Sequence, residues 1–413
     1  MRTTHASLVD DESKIVRSLK ICFIGTPWLA VTPKRGGIPK TILELSRVLS
    51  RDHEVHILCP EPVSEEPEGD GGKLRFHYAP VREVVAYPIP EKVAMSVRGI
   101  GLFARMTFAI AAIFVAYAKV HRQYSFDVTL VTNKFVALPI LGAFGRRHRG
   151  IFVYSEQNIW PWLYPVPRGS LDRLRYYTNV WLGKLTYSLS DAVHANSDSI
   201  RDALLRYGMA SKPIAAIPNG VENKLIEVGP TSLLMPLRVA FVGRLVEDKG
   251  AQILVDVIRR MAASDSRVHF TIFGDGPFRR RLMEAKTENY TLLGNRPREE
   301  VLNALRSIQV ILFLSAVENV PSLALLEALA MGKAVVATNV GDTPRFLSDG
   351  QNAVLCDPDA EAVEVAVLRI ADDGNLYDRL TQGARALAAA NSWEEMGRRH
   401  LTLYKVAIES AEA

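Results

Sequence analysis

The sequence predicts an α/β protein of two doubly wound, parallel-sheet domains facing across a cleft. Three observations carry this. Short apolar runs alternate with stretches of helical period from residue 19 to the end of the chain. The alternation stops after a Pro218–Asn219–Gly220 turn and restarts at Leu237. At 413 residues the chain is also too long for one ordinary core. The reading is a polar, loose segment over 1–18, a first domain over 19–225, a second over 226–391, and a closing amphipathic helix over 392–413.

In the first half, LKICFIG (19–25) is an apolar strand. GGIPKTILELSRVLS then places Gly36 and Gly37 just before a helix marked by Ile42, Leu45 and Leu49. Glycines there either let backbone amides approach a phosphate or sugar, or serve a turn of positive φ. HEVHILCP, DVTLVTN, GIFVYSEQN, AVHANS and PIAAIPNG supply five further strands. One of them ends in the polar triplet Glu156–Gln157–Asn158, suited to the edge of a site at a strand's carboxyl end. The Trp160/Trp162 loop that follows would either stack on a sugar ring or cover the core. The apolar stretch 93–122 carries Arg98, Arg105, Lys119, His121 and Arg122. It reads as a core helix or as an interfacial membrane contact, the latter shared with the basic cluster 146–149.

In the second half, five apolar runs alternate with helices: LRVAFV, VHFTIF, YTLLG, VILFL and KAVVAT. Arg244 and Lys249 follow the first of them beside Gly243 and Gly250. Two cations in a glycine-bearing turn would neutralise a diphosphate, or else pair with Glu247 and Asp248. The densest stretch is 311–342, a strand, a polar loop, a helix from Ser322 and a second strand, with Glu318 in the loop and Glu327 in the helix. A carboxylate among exposed backbone amides can bind sugar hydroxyls.

Composition excludes several classes. The chain is 48% hydrophobic and 23% charged, with a net charge of +5, which permits an anionic partner without requiring one and gives no reason to expect nucleic acid. The three cysteines make no metal-ligand spacing and read as free thiols of a reducing compartment. The longest apolar run, 106–118, is too short to span a bilayer, where about 20 residues are needed. No secretory signal is visible, so a cytoplasmic protein is expected, with its membrane-facing basic stretches at the inner face of the plasma membrane. There is no Walker A lysine motif, no metal-spaced His/Cys cluster, no GxSxG elbow and no GxGxxG after a strand.

GGIPKTILELSRVLS, AIPNGV, FVGRLVEDKG, IFGDGP, LLGN and VENVPSLALLEALAMGKAVVAT occur in an order that resembles the family-4 retaining glycosyltransferases, of GT-B architecture with two Rossmann-like domains. The resemblance implies transfer of a hexosyl unit from GDP-mannose or a UDP-sugar to a glycan or lipid-linked acceptor in surface polysaccharide or glycolipid assembly. It further implies retained anomeric configuration, no metal and no cofactor. By it, Arg244 and Lys249 grip the donor diphosphate, Glu327 binds the ribose and Glu318 the donor sugar. Val320, Pro321, Ser322 and Leu323 form the loop at sugar and phosphate, Gly36 and Gly37 approach the phosphate or the acceptor, and Gly294, Asn295 and Arg296 border the base. The C-terminal helix is expected to cross back onto the first domain.

Three positions depart from the family pattern. Glu318 and Glu327 stand nine apart where eight is usual, which makes Asn319 a competing candidate. Gln157 stands where the family often has a histidine that contacts the donor sugar. Arg345 stands where an acid is usual. An epimerase or hydrolase of the same architecture, and a non-catalytic sugar-nucleotide-binding protein, are the alternatives to a transferase.

Overall fold

The computed structural model describes residues 17–27, 30–31, 37–62, 72–82, 97–157, 161–162, 166–229, 231–264, 267–285, 287–315 and 321–412. Gly36, Asn158, Trp160, Glu318, Asn319 and Val320 lie outside the described residues.

The first sheet holds β1 (Lys20–Ile24), β2 (Glu54–Glu61), β3 (Leu74–Arg82), β4 (Val128–Val131), β5 (Ile151–Glu156), β6 (Ala192–Ala195) and β7 (Ile214–Ala216). Its order is β3-β2-β1-β4-β5-β6-β7, with every pairing parallel. Parallel sheets are covered on both faces, which is why these strands are near-continuous apolar runs. The helices are α1 (Ile38–Leu49), α2 (Val97–Tyr124), α3 (Lys134–Ala143), α4 (Arg146–Arg149), α5 (Ser170–Leu189), α6 (Asp198–Arg206) and α7 (Asn223–Ile226). Right-handed crossovers put α2, α3, α5 and α6 on one face, because those connections all step the same way from β3 through β7. Ile113, Tyr117, Val136, Ile140, Tyr176 and Leu204 form the core beneath them. α1 steps the opposite way and lies on the other face, over Phe23, Ile57, Leu130 and Val153.

The second sheet holds β8 (Leu237–Val242), β9 (Val268–Phe273), β10 (Tyr290–Gly294), β11 (Val310–Phe313), β12 (Ala334–Thr338) and β13 (Val354–Cys356). Its order is β10-β9-β8-β11-β12-β13, again all parallel. The accompanying helices are α8 (Ala251–Ser264), α9 (Arg279–Met283), α10 (Arg298–Leu305), α11 (Leu323–Ala330), α12 (Thr343–Phe346), α13 (Ala360–Asp372), α14 (Gly374–Ala389) and α15 (Trp393–Glu412).

α15 leaves the second sheet and packs on the first. Trp393, Met396, Leu403 and Tyr404 are buried in the core that α1 covers. Gly397 permits the close approach, since a Cβ there would lie 2.9 Å from Val48 Cγ1. The two segments that pass between the sheets pair where they cross: Val221 N–H donates to Asn391 O (3.0 Å) and Trp393 N–H to Val221 O (3.2 Å).

α2 is a core helix along one side, as one of the two readings had it. Ala112, Ile113, Tyr117 and Val120 are buried, while Phe108 and Val115 are exposed on its other side. No helix among the described residues is long and apolar enough to cross a membrane.

Candidate functional site between the two sheets

In each sheet the winding direction reverses beside the first strand, between β1 and β4 and between β8 and β11. Ligands of open parallel sheets bind outside the carboxyl ends of strands at such reversals. The residues singled out in the sequence gather at these two places, and the carboxyl ends face one another.

On the second sheet, β8 runs out into Gly243–Arg244, and a single 3-10 turn, Glu247–Lys249, follows. Gly250 has φ +69°, and a Cβ on it would sit 1.6 Å from Leu314 O. The turn thus lies directly on the chain leaving β11, and only glycine fits there. Gly274 continues this packing, since a Cβ on it would lie 1.9 Å from Gly243 O. Arg244 is exposed and Lys249 half-buried. Neither forms an ion pair with Glu247 or Asp248, or with any other acid among the described residues. Burial lowers the Lys249 ammonium below its usual range, and Arg244 adds to this, while Asp248 opposes it. A pair of cations of this kind gains from a bound dianion.

Gly294 closes β10 with φ +71°, and its carbonyl accepts from Gly274 N–H (2.8 Å), which ties the β9 and β10 ends together. Asn295 and Arg296 are exposed beyond it. At the start of α11, Pro321 is buried and Ser322 is the N-cap, its hydroxyl accepting from Leu325 N–H (3.2 Å). The amides of Leu323 and Ala324 are the ones that helix geometry leaves for a ligand. The Leu323 side chain packs against the core of the first sheet.

Glu327 points into a network of four charges that the sequence did not disclose. Lys40 Nζ donates to Glu327 Oε1 (3.0 Å) and lies 3.3 Å from Glu222 Oε1. Arg298 Nε donates to Glu327 Oε1 (2.7 Å), and its Nη2 reaches both Glu222 oxygens (2.9 Å each). Burial would raise the Glu222 carboxyl, but Lys40 and Arg298 outweigh it and hold it below the usual range. Glu327 is therefore engaged by two cations, one from each side of the cleft. A ribose hydroxyl taken by Glu327 would have to share it with them. Arg345 likewise has a partner: its Nη1 donates to Asp202 Oδ2 (2.6 Å) on α6, and Ser199 N–H donates to Asp342 Oδ1 (3.0 Å). The departure from the family's acid thus creates a link between the two halves.

On the first sheet, Gly37 caps α1 with φ 64°, and nothing lies within 4 Å of where a Cβ would be. Its backbone conformation is what favours glycine. Gln157 follows β5 and is held at both ends. His194 Nε2–H donates to Ile217 O (2.8 Å), which leaves Nδ1 to accept from Ser155 Oγ–H (2.9 Å). Ser155 Oγ accepts from Gln157 Nε2 (2.8 Å), and Gln157 Oε1 accepts from Asn196 Nδ2 (3.0 Å). Burial drives His194 down to about 4, so the imidazole is neutral near pH 7 and this polarity is fixed.

Glu156, read as part of the site edge, turns inward instead. It is buried and accepts from Trp162 Nε1–H (2.8 Å) and Tyr187 O–H (2.6 Å). Trp162 therefore covers the core rather than offering a stacking surface. Close by, Lys134 opens α3 at the end of β4, its ammonium lowered by burial against the opposing pull of Glu156.

Comparison with known proteins follows the same division of the chain. The profile described as Glycosyltransferase Family 4 matches residues 35–224, and the one described as Glycosyl transferases group 1 matches 236–373. The chain is 28% identical over 242 residues to a phosphatidylinositol N-acetylglucosaminyltransferase subunit of Arabidopsis thaliana, covering 54% of this chain and 52% of that protein. It thus spans about half the length of that relative. It is 27% identical over 259 residues to alpha-maltose-1-phosphate synthase of Mycolicibacterium smegmatis, covering 56% and 67%. Among solved structures, sucrose-phosphate synthase from Thermosynechococcus elongatus superposes with a TM-score of 0.73 at 18% identity, over 95% of this chain and 100% of that one. Anabaena HepE in complex with UDP gives 0.64 at 15%, over 94% and 100%.

Proposed function

The chain belongs to the family-4 glycosyltransferases, and from that premise we propose that it moves a hexosyl unit from a nucleoside-diphosphate sugar to a glycan or lipid-linked acceptor, with retention and without a metal. The observation that carries this is the Arg244–Lys249 pair, without an ion-paired acid among the described residues, at the carboxyl end of β8 and packed through Gly250 onto the chain leaving β11. The diphosphate sits against these cations, which stabilise the charge that grows on the leaving phosphate as the glycosidic bond breaks. The amides at the start of α11 and the backbone at Gly37 are taken to face the same ligand from the two sides.

Glu156 is the described acid at the carboxyl end of β5, and its burial behind Trp162 and Tyr187 withholds it from the sugar. This supports, for a retaining reaction, a route on the face from which the leaving group departs, with the acceptor passing Gln157. HepE has been solved with UDP and with UDP-glucose, which makes a UDP-sugar the first donor to test, ahead of GDP-mannose. The acceptor belongs to surface polysaccharide or glycolipid assembly, reached from the cytoplasm at the inner face of the plasma membrane.

The test is a thermal-shift panel of UDP-, GDP-, ADP- and dTDP-sugars, followed by turnover with the donor that raises the melting point. Transfer to an added acceptor with retained configuration, read by NMR, is the expected result. Release of free or epimerised sugar with no transfer would assign the site to a hydrolase or epimerase. Binding with no turnover would make the chain a sugar-nucleotide-binding protein.

A further inference from the structure

α5 exposes apolar residues on the side turned away from the core. Tyr176, Val180, Gly183 and Tyr187 face inward. Leu174, Tyr177 and Trp181 recur at helical spacing on the opposite side, and with Leu171 they are 52–64% exposed. A soluble helix ordinarily carries charge there. α3 separates α5 from α2 on the same face of the sheet, and Phe108 and Val115 stand out from α2. Both α5 and α2, on this side of the first domain, thus carry exposed apolar side chains.

The charge here is one-sided. Residues 97–189 contain twelve Lys and Arg against three Asp and Glu, a net +9 against −4 for the remainder of a chain that carries +5, although one of the twelve, Arg149, is buried and paired with Asp191 just beyond the segment (2.6 Å). Of the three acids, Glu156 is buried, and Asp127 accepts from Lys20 N–H (2.8 Å) at the strand end. Asp172 alone lies on the outer side of α5. Around the apolar row of α5, Arg168, Arg173, Arg175 and Lys184 are exposed, and Lys119 and Arg122 are exposed on α2.

The geometry points to an anionic lipid bilayer as the partner of this face, with α5 lying in the interface. Leu171 and Leu174 enter the acyl boundary, Trp181 and Tyr177 sit at headgroup depth where aromatic rings with a polar edge are favoured, and the flanking cations meet phosphate groups. A protein partner would be expected to offer acids to a surface this basic. In a two-fold dimer this face would meet its own positive charge and be repelled. The inference uses none of the residues assigned to the sugar nucleotide, so either reading can fail alone.

The experiment is co-sedimentation of the full chain with phosphatidylcholine vesicles and with vesicles containing about a third phosphatidylglycerol, at low and high salt. Binding is expected only to the anionic vesicles, and it weakens as salt rises. Leu174→Glu/Trp181→Glu should bind at least tenfold more weakly, with far-UV circular dichroism confirming that it folds. Arg173→Glu/Arg175→Glu, at about fivefold for each lost cation, gives an independent second variant. No enrichment over neutral vesicles overturns the proposal, as does full binding by both variants. A dimer in light scattering that Leu174→Glu/Trp181→Glu dissolves, without vesicle binding, would assign the face to self-association instead.

Discussion

Lys40→Met keeps the length of a nearly buried side chain and removes its charge from the network at the cleft. Lys40 Nζ lies 3.0 Å from one Glu327 oxygen and 3.3 Å from one of Glu222. At an effective dielectric of about 20, Coulomb's law puts each attraction at roughly 5 kcal/mol. Desolvating the ammonium takes back several kcal/mol. What remains is of the order of a hydrogen bond to a charged group, about 1.5–3 kcal/mol. Arg298 still partners both carboxylates after the change, so we expect a loss of about 2 kcal/mol. At roughly 2.1 cal/mol/K per residue, a chain of this size melting as one unit would fall by about 2 °C. The decisive assay is a double-mutant cycle with Glu327→Gln, in which we expect a coupling of about 1 kcal/mol or more. A coupling below about 0.3 kcal/mol would refute the network. pH gives a second readout. The Glu222 carboxyl is depressed below its ordinary value of 4.5, so its stabilisation is present above that pH and is lost as pH falls through the folded value. Lys40→Met weakens the depression, so the acid limb contributed by Glu222 should still begin near the ordinary value but be smaller and end at a higher pH than in the wild type.

Lys249→Met should weaken UDP binding about tenfold in calorimetry, the loss of one charge-assisted hydrogen bond; unchanged affinity would remove Lys249 from the site. Gly250→Ala forces a Cβ onto Leu314 O at a φ of +69°, and the denaturant midpoint should report a loss of more than about 2 kcal/mol. His194 has its pKa lowered from 6.5 to about 4 by burial. The unfolded chain takes up that proton first, so this group makes stability fall as pH drops from 6.5 to 4. His400, the ring 4.5 Å away, is also depressed by burial and by His194. His194→Gln should reduce the slope of stability against pH by about one proton in that window, read from urea midpoints at each pH; an unchanged slope would show that His194 is not its source.

What the sequence made legible follows from where the information is local. β1, β8, β11 and β12 are continuous apolar runs because both of their faces are covered, and they stand out without help. β3 does not stand out: Leu74, Phe76 and Tyr78 alternate with Arg75 and His77 in an edge strand that is only partly covered. β13 escapes a reading of the sequence because three residues carry no period. The turn with Arg244, Lys249 and Gly250 could be found because strand, glycine and cations are neighbours in the chain. Lys40, Glu222 and Arg298 could not, although each lies in or beside a stretch that the motifs mark. Lys40 and Glu327 are 287 positions apart and meet only because the two sheets face one another. Glu156 shows the opposite error. Its place at a strand's carboxyl end was visible, but the direction of its side chain is set by Trp162 and by Tyr187, which is 31 residues further along.

The return of α15 to the first sheet has a consequence for the order in which the protein becomes complete. During synthesis the strands of the first sheet emerge before any of the second, and domains ordinarily fold in that order. Here one side of the first sheet stays unfinished until Trp393, Met396, Leu403 and Tyr404 arrive, after every strand and helix of the second domain has been made. The half that is translated first is therefore the half that closes last. A chain cut short after residue 391 would keep the second sheet whole and lose the integrity of its own beginning.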